Sequence, residues 1–162
     1  MDYVGIATTI LLSLRIAIFA TFLNLPIAIA LGYILARGEF KGKAVLDGLV
    51  NLPLVMPPVT TGYLLLLLLG RRGLVGTLLF QKLGISVAFT TVAAILAAMV
   101  VSLPLLVRSI RVSMEMVDPR LERAALTLGA GRLAVFWRIT LPLVLPGVLN
   151  GVILGFARSL GE

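Results

Sequence analysis

The sequence predicts an all-α integral membrane fold, a bundle of several spanning helices. Three observations carry this. Hydrophobic residues make up 60% of the 162 positions and charged residues only 13%, against about 25% charged in soluble domains. Four intervals, 16–36, 48–70, 83–107 and 139–157, contain no charged residue. Each is about 20 residues or slightly more, the length a helix needs to cross roughly 30 Å of hydrocarbon. The basic residues gather between these intervals, as loop residues of membrane proteins do. Spans are expected near 10–36, 46–70, 84–108 and 140–160, and the whole chain 1–162 reads as one transmembrane domain.

The first span is apolar back to Val4, so its helix is expected to be long or tilted. Pro26 is a candidate kink, and Arg15 is expected to snorkel to headgroups. Asp2 precedes the apolar run where a signal peptide carries basic residues, and the run is too long for one, so no cleavable signal is expected.

The second span holds Pro53, Pro57, Pro58 and Gly62, a composition that cannot form a straight helix. Two readings stay open: a kinked helix packed on its neighbours, or a break lining a polar path, since free carbonyls at membrane depth need protein or water beside them. On the second reading Pro57, Pro58, Thr60 and Thr61 are pathway candidates. Asp47, near the inner edge, is expected to be solvated. Ser102 and Pro104 repeat the theme in the third span, and Pro142, Pro146 and Gly147 at the start of the fourth. Gly147 and Gly151 are four apart, a spacing that lets helices approach closely. Arg158 also has two readings: an interface anchor paired with Glu162 one turn on, or a charge deeper in the span that attracts an anion.

The loops orient the chain. The first carries Arg37, Lys41 and Lys43; the third carries Arg108, Arg111, Arg120, Arg123, Arg132 and Arg138. These two share a compartment and hold nine basic residues, against three (Arg71, Arg72 and Lys82) in the second. The positive-inside rule puts the first and third loops in the cytoplasm and the N-terminus outside. The Gly-Arg-Arg-Gly turn at 70–73 runs against it by placing two arginines outside.

The third loop is the one long hydrophilic interval. Asp118 suits a helix N-cap and Pro119 the first helical position. Leu121, Ala124, Ala125 and Leu128 follow at i, i+3, i+4 and i+7, one helix face. Gly129 stands where a left-handed residue ends a helix. A second short segment, 132–138, carries Phe136 and Trp137 and leads to Leu141-Pro142. Either the capped helix docks on a partner, or it lies on the membrane surface.

Enzyme chemistry is not expected. The chain has no histidine and no cysteine, which removes the most frequent general base and the usual metal ligands. No metal site is predicted. No two acidic residues share a span, and no phosphate-binding Gly-x-x-x-x-Gly-Lys-Ser/Thr occurs. The net charge of +7 fits topology and anionic lipid better than nucleic acid. Broken helices, a docking helix and no catalytic groups suggest a transport subunit energised by another protein. The rival reading is a membrane scaffold that binds a partner and drives nothing.

Glu122-Arg123-Ala124-Ala125, three residues, Gly129, nine residues, then Ile139-Thr140-Leu141-Pro142 resembles the EAA loop of ABC importer permeases, here spanning 111–142. The Glu is displaced by one position, with Arg123 where the motif has it. Leu52-Pro53-Leu54-Val55-Met56-Pro57-Pro58, Gly70-Arg71-Arg72-Gly73 and Phe156-Ala157-Arg158-Ser159-Leu160-Gly161-Glu162 extend the resemblance, over essentially the whole chain, to the permeases of the molybdate (oxyanion) importer family, with tungstate and sulfate permeases as relatives. The resemblance implies a type I ABC importer transmembrane domain in the bacterial inner membrane, forming a homodimer. Its implied partners are two ABC ATPase subunits and a periplasmic molybdate-binding protein. ATP and Mg would be bound by the ATPase and no cofactor by this chain. Glu122, Ala124, Ala125, Gly129, Ile139, Leu141 and Pro142 would form the ATPase-coupling loop. The family's chains continue past the equivalent of Glu162, so this sequence is expected to be partial.

Overall fold

The computed structural model describes residues 3–70, 73 and 90–161, and all regular structure among them is helical. Helix α1 is Tyr3–Arg37, α2 is Lys43–Val55 and α3 is Pro58–Leu69. Helix α4 is Thr91–Met116 and α5 is Pro119–Thr127. Helix α6, Arg132–Val135, passes through a π-helical turn, Phe136–Thr140, into α7, Leu141–Leu160. Three helical stretches are long and apolar enough to cross a membrane: α1, α4, and the continuous run from α6 through α7.

Those three form the bundle. Each packs on the other two, while α2 and α3 lean on α4. In α1 the buried positions are Ala17, Ala20, Thr21, Asn24, Ala28, Gly32 and Leu35, a stripe recurring every three or four residues. Nearly all are small, which lets α4 come close; a Cβ on Gly32 would lie 2.9 Å from Ile110 Cγ2. Lipid is as apolar as leucine, so such close packing, rather than exclusion from water, holds spanning helices together. Asn24, 1% exposed, donates from Nδ2 to Met99 O at 2.8 Å and to Ser102 Oγ at 3.1 Å. Ser102 in turn donates to Ala98 O at 2.6 Å. Asn24 and Ser102 are thus satisfied at the α1–α4 interface, each bond between the helices contributing about 0.6–2 kcal/mol, whereas the buried Thr21 hydroxyl finds no partner among the described residues.

Contacts of Asn24 with Met99, Gly32 with Ile110 and Arg37 with Val117 advance together along both chains, so α1 and α4 run parallel. The end of α1 at Arg37 and the start of α4 at Thr91 therefore lie at opposite ends of the bundle. Helix α7 is antiparallel to α4: Gly147 faces Ser113 and Ser109, Gly151 faces Leu106 and Ser109, and Gly155 faces Leu106. A Cβ on Gly147 would collide with the Ser113 side chain, and one on Gly155 with Leu106. The expected glycine pair is thus a triplet. Ser109 Oγ donates to Gly147 O at 2.9 Å and accepts from Asn150 Nδ2 at 3.2 Å, a polar clasp made possible by that proximity.

Several expectations are corrected. The interval 46–70 is not one continuous helix but a bent pair, α2 and α3, whose axes turn by 117°, a broken span or a re-entrant loop. Pro57 and Pro58 supply the reason: a proline lacks the N–H that would continue the ladder, and its ring disfavours helical geometry in the residue before it. At 13 and 12 residues, each is roughly 20 Å long and short of a crossing. Pro26, by contrast, lies inside α1 without ending it. Helix α4 extends to Met116, past the expected limit at 108; residues 84–89 of that expected span lie outside the described residues. Asp47 is not simply solvated. It pairs with Arg111 at 2.9 Å, and its Oδ1 accepts from Asn51 at 2.9 Å. Arg111 also pairs with Glu115 at 2.8 Å. Of the 70–73 turn, Gly73 N–H donates to Gly70 O at 2.8 Å, whereas Arg71 and Arg72 lie outside the described residues. So does Glu162, the suggested partner of Arg158.

Candidate functional site

The site is α5 and what holds it. Asp118 caps the helix as its residue type dictates, Oδ1 accepting from Arg120 N–H at 2.8 Å. Pro119 sits in the first turn. At the other end Gly129 N–H donates to Leu126 O at 3.0 Å and Ala130 N–H to Ala125 O at 3.1 Å. That is the Schellman pair, which needs a left-handed residue between the helix and the outgoing chain. Gly129 supplies it, with φ +86°.

Capped at both ends, α5 has no buried residue. The face Leu121, Ala124, Ala125 and Leu128 points away from the bundle: Leu121 is 50% and Leu128 88% exposed, Ala124 is exposed and Ala125 half-buried. Within this chain the helix packs only on α6 and the π turn among the elements in appreciable contact. A groove of about 370 Å³ beside it is lined by residues that include Met116, Val117, Leu121 and Pro146.

The adjoining face carries the attachment. Glu122 Oε1 lies 3.2 Å from Arg37 Nη2 and accepts from Thr140 Oγ1 at 3.0 Å. Arg37 Nη2 also donates to Val117 O at 2.8 Å, one of the carbonyls at the end of α4. The Arg37 and Glu122 side chains are 17% and 15% exposed, and Thr140 is 1% exposed. One carboxylate thus joins α5 to the end of α1 and to the π turn. Tyr33 of α1 meets Phe136 of that turn edge to face, with ring centroids 5.5 Å apart, and Phe136 meets Trp137 in the same way at 5.7 Å.

The π turn has a local cause. Pro142 has no N–H for a helical bond, and the ladder widens before it, with Leu141 N–H donating five residues back to Phe136 O. The segment 132–138 is accordingly the beginning of the last long helix, not a separate piece. Ile139 and Leu141 are half-buried and Pro142 is exposed. Of the coupling-loop residues expected from sequence, Glu122 faces inward, Ala124 is exposed, Ala125 is half-buried, and Gly129 marks the exit. Sequence reading missed Arg37 and Thr140; the helical spacing of Arg37 from the first span could not reveal a partner 85 residues away.

The pathway candidates fall elsewhere. Thr61 is buried and its hydroxyl donates to Pro57 O at 3.4 Å, the local bond of a helix start. Thr60 and Pro57 are exposed. Arg158 is half-buried in the last turn of α7, at the end of the bundle opposite α5. Helix α3 packs on α4, and α7 on α1 and α4. No group of three or more His, Cys, Asp or Glu that could hold a metal occurs among the described residues.

The chain is 54% identical over 153 residues to the molybdenum transport system permease protein ModB of Escherichia coli K12, covering 94% of this chain and 67% of that protein. It is 52% identical over 151 residues to the ModB protein of Haemophilus influenzae, covering 93% and 66%. A probable sulfate transport system permease protein, cysT, of Chlorokybus atmophyticus is 36% identical over 155 residues, covering 96% and 54%. The chain thus spans about two thirds of the length of the two bacterial relatives and about half that of the third. The family model for the binding-protein-dependent transport system inner membrane component matches residues 28–162. With that match over most of the chain and an all-helical, multi-pass bundle behind it, the protein belongs to this family, the membrane domains of type I ABC importers.

Proposed function

We propose that this chain is the membrane-spanning part of an ATP-driven molybdate importer, with α5 as the helix that receives the stroke of a separate ATPase. The carrying observation is the two-faced character of α5. Its inward carboxylate is tied to α1 and the π turn, while its apolar residues stand exposed on a helix that buries nothing in its own chain. Leucines that exposed on a capped helix fit the groove of a partner. Neutral small residues at Ala124 and Ala125 allow close approach, and Gly129 allows the turn that follows.

The reading includes a homodimer, two ATPase subunits holding ATP and Mg, and a periplasmic molybdate-binding protein. It places the chain in a bacterial inner membrane with its N-terminus in the periplasm. Thr60, Thr61 and Arg158 are its candidates for the anion's route. Charge-free span interiors do not repel a dianion, and Arg158 stands in the last turn of α7, the end that faces outward on this orientation. Molybdate is preferred because the relatives named for molybdenum are more similar to this chain than the one named for sulfate.

The test is reconstitution of the full-length gene product with its cognate ATPase and binding protein in liposomes. Molybdate should stimulate ATP hydrolysis and enter the lumen, and sulfate should do neither. Stimulation by sulfate alone would move the substrate to that named for the third relative. A complex that never binds an ATPase would leave a scaffold.

A further inference from the structure

We propose that Arg37 is a positioning residue for transport: by gripping both Glu122 and the Val117 carbonyl that follows α4, it ties α5 to α1 and α4 so that force on α5 is delivered to the bundle. This rests on the reading of α5 as the ATPase-coupling helix.

The argument starts from how little else holds α5. It has no buried residue, and its packing is on α6 and the π turn. Thr140, the second partner of Glu122, belongs to that same turn. Arg37 adds the end of α1, and through Val117 O at 2.8 Å the end of α4. A rod tied to one element pivots about its attachment when pushed. A rod tied to several carries the push into each. The exit after Gly129 is a left-handed turn, and the entry at Val117 is extended, so neither flanking connection resists pivoting as a continuous helix would.

The ordinary explanation for an arginine at the end of a spanning helix is a headgroup anchor. Three facts oppose it. The side chain is only 17% exposed. Its Nη2 donates to protein acceptors on two elements distant in sequence. Its Nε is buried without an acceptor among the described residues, a desolvation cost that an anchor lying in the headgroup layer would not carry. One nitrogen, Nη2, reaches the carbonyl and the carboxylate together; a lysine, whose side chain is shorter, keeps the charge and loses that reach.

The experiment uses the full-length protein in its reconstituted complex and reads oxyanion moved per ATP hydrolysed. Arg37→Lys keeps the charge that topology and lipid require and shortens the reach to Glu122 and Val117 O. It should lower the ratio about fivefold, within the range of coupling changes seen for residues that touch neither ligand. Arg37→Gln should lower it at least as far, and Arg37→Glu combined with Glu122→Arg should restore part of the loss. If Arg37→Lys transports as efficiently per ATP as the wild type, Arg37 is an anchor and the proposal is overturned. Should Arg37→Gln fail to assemble, the lysine variant and the exchanged pair still decide. A wild-type complex that moves no oxyanion defeats the earlier reading and this one with it, whereas a working wild type with an indifferent Arg37→Lys defeats this one alone.

Discussion

Along the seam between α4 and α7 the two backbones touch through Gly147, Gly151 and Gly155, with side-chain contacts from Leu106, Ser109 and Ser113. At the end where α1 and α4 stop, α5 is held instead by Arg37, Glu122 and Thr140. The seam is shape; the node is charge and hydrogen bonding. Close-packed shape has no second arrangement within reach, because interdigitated side chains clash before they slide. Hydrogen bonds can lengthen or exchange partners at modest cost. The difference assigns the parts: a stiff bundle on one side, an adjustable mount on the other, and between them a helix capped well enough to move as one piece.

The comparison can be broken most severely at the seam. Gly147→Val should cost at least about 3 kcal/mol, the upper end for overpacked cores, and should be read as loss of folded protein from the membrane. The milder Gly147→Ala should recover when combined with Ser113→Gly, which removes the atoms its Cβ would strike; no recovery would mean that the seam is looser than drawn. Next is the exit of α5. Gly129→Val forces a β-branched residue to φ +86°, costing about 1–2 kcal/mol, and should uncouple ATP hydrolysis from uptake while leaving insertion intact. Gly129→Asn, which tolerates that region, should transport nearly normally. If both variants transport alike, the turn does not matter.

Smaller effects sharpen the contrast. Ser102→Ala removes one bond from Asn24 but leaves Met99 O as acceptor, so about 0.6 kcal/mol is expected in a denaturation assay in detergent micelles. The smallest is Asp47→Asn. Its pairing with Arg111 is half-exposed, and Arg111 keeps Glu115. Thermal stability should change by less than about 0.5 kcal/mol, the ordinary yield of a surface ion pair. A large loss there would place a second rigid joint between α2 and α4.

Much of this was legible because the signals are local. Asp118, Pro119 and Gly129 declare the ends of α5 by their own stereochemistry, and both caps form as expected. The spans declare themselves by length and lack of charge. Where the reading fell short, the cause was distance. Asp47 looked solvated because Arg111 stands 64 residues later. Gly155 was passed over because a glycine in an apolar run has no signature until a facing helix gives it one. The small residues of α1, from Ala17 to Gly32, carry a period that could have been counted, but only α4 shows which side they serve.

The sequence by itself determined which segments enter the membrane, where the short helix begins and ends, and which family the loop resembles. Those follow from transfer free energy and backbone sterics, properties of a residue and its near neighbours. The tertiary structure alone decided that α5 turns its leucines outward and its glutamate inward, and that Arg37 meets it there. A carboxylate's partner is chosen by whichever donor the packing of distant helices brings within about 3 Å, and no local rule contains that distance.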